Sequence, residues 1–233
     1  MNDFSNEKLL VIAPHSDDEV LGCGASMSKW AEQGNQVDVL ILAEGATSRD
    51  DKRDRDLRSD ELSKLNQCAN DSAKILGINS INLLDFPDNR MDSIDLLDIV
   101  KQVEKYIDKI KPEIVLTHHA YDLNIDHQLT HQSVVTACRP EPEHYVKRIL
   151  SFEVPSSTEW QAPIASKAFI PNWYENVSDT ITKKTKALEA YKDEMRDWPH
   201  PRSLKAVKNL AKWRGATVGC EAAEAFMLIR EIN

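Results

Sequence analysis

The chain has 233 residues, of which 41% are hydrophobic and 29% charged, with a formal charge of −9. That balance supports a packed core and argues against nucleic acid or an anionic membrane surface as the main partner. No run approaches the ~18 apolar residues of a membrane span, and the start MNDFSNEKLL lacks the basic and apolar regions of a signal peptide, so the expectation is a cytoplasmic protein.

Lys8 to Ala13 reads as a buried strand, followed by a helix from Asp18 to Gln33 that stops at Gly34-Asn35. Gln36 to Leu42 is a second strand. Ala46 to Gly77 carries a charged stretch, SRDDKRDRD, read as a solvated loop or helix face. It ends in apolar residues at helical spacing (Leu62, Leu65, Ala69, Ala73, Leu76). Ser80 to Asp85 is a third strand, and the turn Pro87-Asp88-Asn89 follows it. Asp95 to Lys109 is an amphipathic helix, Glu113 to Thr117 a fourth strand, and Asp126 to Cys138 a further helix.

Arg148 to Val154 can form another strand. Prolines 155, 163 and 171 then punctuate a loop-rich region before helices at Ser178 to Arg196 and Ser203 to Arg214. The alternation predicts an α/β fold, a parallel sheet with right-handed crossovers and helices on both faces. No repeat or flexible linker interrupts residues 1–233, so one domain is expected. Four scattered cysteines without a C-x-x-C pair predict neither a disulfide framework nor a zinc ribbon.

The stretch APHSDDEVLGCG, from Ala13 to Gly24, places a histidine and three acids where the first strand gives way to a helix. Gly22-x-Gly24 could belong to a dinucleotide loop, but Met27 occupies the third glycine position. Asp17, Asp18 and Glu19 would also face the pyrophosphate. Like charges ~4 Å apart repel by about 4 kcal/mol at an effective dielectric near 20.

A divalent cation accounts for the cluster better. His15 and Asp18 are three apart, so a turn opening into a helix can aim both at one ion. Asp17 lies between them and is free to act as a base. A plain helix cap would explain one acid, not the whole cluster.

Four of the seven histidines fall in THHAYDLNIDHQLTH after the fourth strand: His118, His119, His127 and His131. Asp122 and Asp126 are interleaved with them. His127 and His131 share a helix face. A zincin would carry glutamate after the first histidine, whereas this chain has Gln128. The reading is therefore one metal ligand from this cluster, supported by its neighbours.

His15-Ser16-Asp17-Asp18-Glu19 after one strand, with Asp122-x-Asn124-x-Asp126-His127-x-x-x-His131 after a later one, resembles the PIG-L/LmbE-like de-N-acetylase family. The segment RGATVGCEAAEAF near the C-terminus is similar to a closing segment of the same enzymes. The resemblance implies a Rossmann-like fold and zinc-dependent removal of acetyl groups from N-acetylglucosamine-type sugars. It implies His15, Asp18 and His127 as metal ligands and Asp17 as general base. Asp126 would orient a catalytic histidine or tune its charge. Arg49 and Asp88 match loop positions associated with substrate.

Asn124 stands where several bacterial members carry a histidine. The general acid is then one of His118, His119 and His200, or Asp17 serving twice, with Asn124 and His200 placed near substrate. Zinc is the default ion, and Fe2+ or Co2+ could use the same ligands. The expected partner is a small N-acetylated sugar or sugar conjugate; self-association is left open. Two other readings follow from the same residues: a phosphoesterase, which would use two metals, and a non-catalytic, metal-stabilised binding module.

Overall fold

The apolar run ending at Ala13 lies at the centre of the sheet. The computed structural model describes residues 6–141 and 146–232. Within them the strands are β1 (Lys8–Ala13), β2 (Gln36–Ala43), β3 (Ser80–Phe86), β4 (Ile114–His118), β5 (Arg148–Phe152), β6 (Trp173–Asn176) and β7 (Ala223–Glu231). They form one sheet in the order β3-β2-β1-β4-β5-β7-β6. The helices are α1 (Asp18–Glu32), α2 (Ser59–Leu76), α3 (Leu96–Ile110), α4 (Ile125–Ala137), α5 (Ile181–Ala190) and α6 (Leu204–Val218).

Side chains alternate across a strand, so β1 feeds two cores. Leu9, Val11 and Ala13 pack with residues of α1, α2, α5 and α6. Leu10 and Ile12 pack on the opposite face with Ile99, Val103 and Ile107 of α3 and Val134 of α4. This is the expected layering of a doubly wound fold. No described helix is long and apolar enough to cross a membrane.

Strands β1 to β5 pair in parallel, as the sequence pattern predicts. The sheet is not parallel throughout. β7 runs antiparallel to β5, and β6 antiparallel to β7. α5 is also shorter than the predicted 178–196 segment. It ends at Ala190, and the turns that follow carry Tyr191 and Glu194 inward toward the carboxyl ends of the strands.

The topology sets where a site can form. From β1 the chain winds outward through β2 to β3, and α3 then returns it to β4 on the other side of β1. The loops leaving β1 and β4 therefore diverge and leave a crevice between them, the switch point of an open α/β sheet.

Gly22 and Gly24 lie inside α1 rather than in a phosphate loop. A Cβ at Gly22 would fall 2.3 Å from the Phe152 ring, so the glycine lets α1 lie close against β5. Gly22→Ala should therefore lower the stability measured by chemical denaturation by about 1–3 kcal/mol. Adding Phe152→Leu should recover part of that loss. An unchanged midpoint for the single variant would contradict this packing.

Candidate active site

The turn from β1 into α1 presents His15, Asp17 and Asp18 to the crevice. The partner cluster is set by the start of α4, where the Asn124 side chain accepts the Asp126 N–H at 2.8 Å and caps the helix. Asp126 and His127 thus sit, buried, in the first turn.

The two clusters meet at one atom. Asp18 Oδ2 lies 3.1 Å from His15 Nδ1 and 3.1 Å from His127 Nε2. Each imidazole has a second carboxylate behind it. His15 Nε2 donates to Asp126 Oδ2 at 3.1 Å, and His127 Nδ1 lies 3.1 Å from Asp122 Oδ1. Those carboxylates are themselves held. Asp126 Oδ1 accepts the Met91 N–H at 3.0 Å, and Asp122 accepts the Ser157 hydroxyl and, at 2.6 Å, the Thr158 hydroxyl. A carboxylate behind each ligand imidazole is the usual means of orienting a metal-binding histidine.

The residues fit a divalent ion. Zinc ligands lie about 2.0–2.2 Å from the metal, so donors sharing an ion sit about 3 Å apart. His15, Asp18 and His127 offer such a set. Asp18 Oδ1 is buried without a hydrogen-bond partner among the described residues. Two overlapping trios, His118–Asp122–His127 and His15–Asp88–Asp126, also bring ligand atoms together. They use Asp122 and Asp126, which already accept hydrogen bonds from elsewhere.

The charges follow from this packing. Burial opposes a proton on His127, but Asp18 and Asp122 outweigh it and raise the group to about 9. Burial likewise opposes a proton on His15, yet Asp126 and Asp18 raise it well above the ordinary histidine value. Burial pushes Asp18 upward, but the facing His127 and His15 hold its carboxyl well below the usual range. His118 is fully buried and kept neutral by burial. Its ring centroid lies 3.9 Å from that of His127 with the planes tilted by 46°, its Nε2 is 3.8 Å from Asp18 Oδ2, and neither of its nitrogens has a hydrogen-bond partner among the described residues.

Asp17 differs from the trio. It has φ 107° and is buried, and its Oδ2 pairs with Arg202 Nη1 at 3.0 Å. Burial raises its carboxyl to about 7 against the pull of Arg202. It lines a cavity of about 150 Å3 with His15, Arg49, Asp88, Asn124 and Arg202.

The family model for PIG-L, GlcNAc-PI de-N-acetylase, matches residues 10–138, which contain both clusters. The chain belongs to this family. It is also 31% identical over 190 residues to the uncharacterized deacetylase YaiS of Escherichia coli (strain K12), covering 79% of this chain and 90% of that one. Among solved structures it is similar to N,N'-diacetylchitobiose deacetylase from Pyrococcus horikoshii, with a TM-score of 0.78, 19% identity, and 98% and 86% of the two chains covered. GalB, the 4-carboxy-2-hydroxymuconate hydratase of Pseudomonas putida KT2440, matches at a TM-score of 0.76 and 21% identity, over 97% and 98% of the chains. These two likenesses show the fold alone, and a fold does not fix its chemistry.

Within this PIG-L chain the other sequence-predicted residues fall as follows. Asp88 Oδ1 lies 3.5 Å from His15 Nε2. Arg49 borders the cavity but is bonded to Glu61 at 2.9 Å and Glu194 at 2.7 Å. Asn124, besides capping α4, donates to Asn89 at 2.7 Å. The histidine that Asp126 meets is His15, itself a candidate ligand, through Oδ2 at 3.1 Å.

His200 does not line the cavity. Its Nδ1 accepts the Arg202 N–H at 3.0 Å, and its ring packs edge-on against Trp160. His119 and His131 are engaged by the Lys167 and His118 carbonyls. Nothing local in the sequence ties residue 202 to residue 17, so the Arg202–Asp17 pair emerges only from the fold.

Because His15 and His127 hold protons that an ion must displace, Zn2+ binding near pH 7 should release protons, and affinity should rise as pH increases from 6 to 8. Calorimetry in buffers of different ionisation enthalpy measures this. Zinc uptake without proton release would contradict the assignment.

Proposed function

We propose that this chain is a metal-dependent hydrolase that removes the acetyl group from an N-acetylated amino sugar or its conjugate. The observation that carries the reading is the pairing of two features at one crevice. His15, Asp18 and His127 converge on a point, and Asp17, a carboxylate outside that trio, lines a cavity beside it together with His15.

Zinc suits the donor set, with Fe2+ or Co2+ as substitutes. When bound, the ion would polarise the amide carbonyl and acidify a water molecule toward a pKa of ~7. Asp17 would be the residue that accepts a proton from the attacking water. Asp17 is buried and lines the cavity, so the same carboxyl is placed both to accept a proton and to return it. None of His118, His119, His131 and His200 lines the cavity, so Asp17 also delivers the proton to the departing nitrogen. The products are acetate and the free amine.

Arg49, Asp88 and Asn124 offer hydrogen bonds to sugar hydroxyls. The cavity adjoins a second one of about 300 Å3 that shares Arg49, Leu65 and Glu194 with it. That space supports a conjugate larger than one ring.

The test is acetate release from N-acetylglucosamine and N,N'-diacetylchitobiose by zinc-loaded protein, with and without a chelator. Release should depend on metal at one ion per chain. Asp17→Asn should lower turnover roughly 10²- to 10⁴-fold with metal content unchanged. Full turnover in Asp17→Asn, or no acetate from either sugar, would overturn the reading, and two ions per chain would favour a phosphoesterase.

A further inference from the structure

Asp17 carries the proposed proton transfers from an unusual backbone. A residue with a Cβ at φ 107° and ψ −31° occupies a conformation that L side chains rarely adopt. Such a conformation persists only where its surroundings over-determine it. The Asp17 carbonyl is fixed from one side, accepting the Val20 N–H at 3.0 Å and the Leu21 N–H at 2.8 Å. Arg202 fixes the carboxylate, and Ser156 Oγ accepts from Arg202 Nε at 2.9 Å to anchor the guanidinium.

The remaining restraint is Glu19, a buried acid with no other part in the chemistry. Its Oε2 accepts the Asp17 N–H at 3.0 Å, and its Oε1 accepts the Tyr191 hydroxyl at 2.8 Å. Glu19 and Tyr191 are 2% and 1% exposed, so water cannot replace either bond. Tyr191 comes from just beyond α5, where the helix stops earlier than its sequence pattern predicts.

We propose that Glu19 and Tyr191 are positioning residues: together they hold the Asp17 backbone in its left-handed conformation, so that its carboxylate faces the cavity rather than the trio. The proposal rests on Asp17 acting as the base. A side chain reaching back to the N–H at a helix start also resembles half of a capping box. A purely capping role would move stability and leave turnover alone.

Three variants separate these roles. Glu19→Gln keeps an acceptor for the Asp17 N–H and turns its amide N–H to the Tyr191 oxygen, so both contacts persist with the second one reversed in direction. Glu19→Met fills similar space and keeps neither. Tyr191→Phe keeps the ring packing and removes only the hydroxyl.

Glu19→Met and Tyr191→Phe should lower kcat for acetate release at least tenfold, with KM within twofold and zinc content unchanged. Glu19→Gln should stay within threefold of the parent. Amide hydrogen exchange in a peptide spanning residues 14–20 should quicken in Glu19→Met and Tyr191→Phe but not in Glu19→Gln.

Unchanged kcat in Glu19→Met and Tyr191→Phe, or Glu19→Gln as impaired as Glu19→Met, would overturn the proposal. If the parent protein releases no acetate, the deacetylase reading fails by itself, and the exchange arm decides whether the restraint exists. Exchange that is the same in all three variants rejects it.

Discussion

A single carboxylate oxygen, Asp18 Oδ2, is shared by two imidazoles, one from the turn that leaves β1 and one from the start of α4, the helix that follows β4. Everything else in the crevice is arranged around that contact. It is possible because β1 and β4 are neighbours whose connections leave in opposite directions. Their carboxyl ends therefore face one opening, and short loops suffice to bring residues 15, 18 and 127 together.

Burying so many ionisable groups is unfavourable unless each is compensated. Here the compensation is layered. The trio is balanced within itself, Asp122 and Asp126 stand behind the histidines, and hydroxyl or backbone donors stand behind those acids. Asp17 pairs with Arg202 from the loop before α6, whose second guanidinium nitrogen lies 4.0 Å from Asp18 Oδ1. A base must remain outside the group that binds the ion, and Asp17 stands outside the trio, paired with Arg202.

Much of this was legible in the chain itself. Strands β1 to β4 announce themselves as apolar runs between turn residues, and both charged clusters stand at strand ends. The resemblance names His15, Asp18 and His127 together, whereas spacing alone leaves open which histidine of the second cluster joins the first. The antiparallel strands were not legible. β6 has only four residues and follows a proline-punctuated loop, and β7 is buried at one end and exposed at the other, so neither shows a clean two-residue period. The premature end of α5 is set by tertiary contacts of Tyr191, and the Arg202–Asp17 pair joins residues 185 positions apart. His200 drew attention as a histidine in a proline-flanked loop, yet its neighbour Arg202 is the one that reaches the cavity.

The direct measurement is a zinc-edge anomalous diffraction map from crystals of the zinc-loaded protein. The account predicts one strong peak per chain, within bonding distance of His15, Asp18 and His127 together, with the Asp17 carboxylate beyond its reach. A peak centred on His118, Asp122 and His127, or an Asp17 oxygen bonded to the ion, would contradict it.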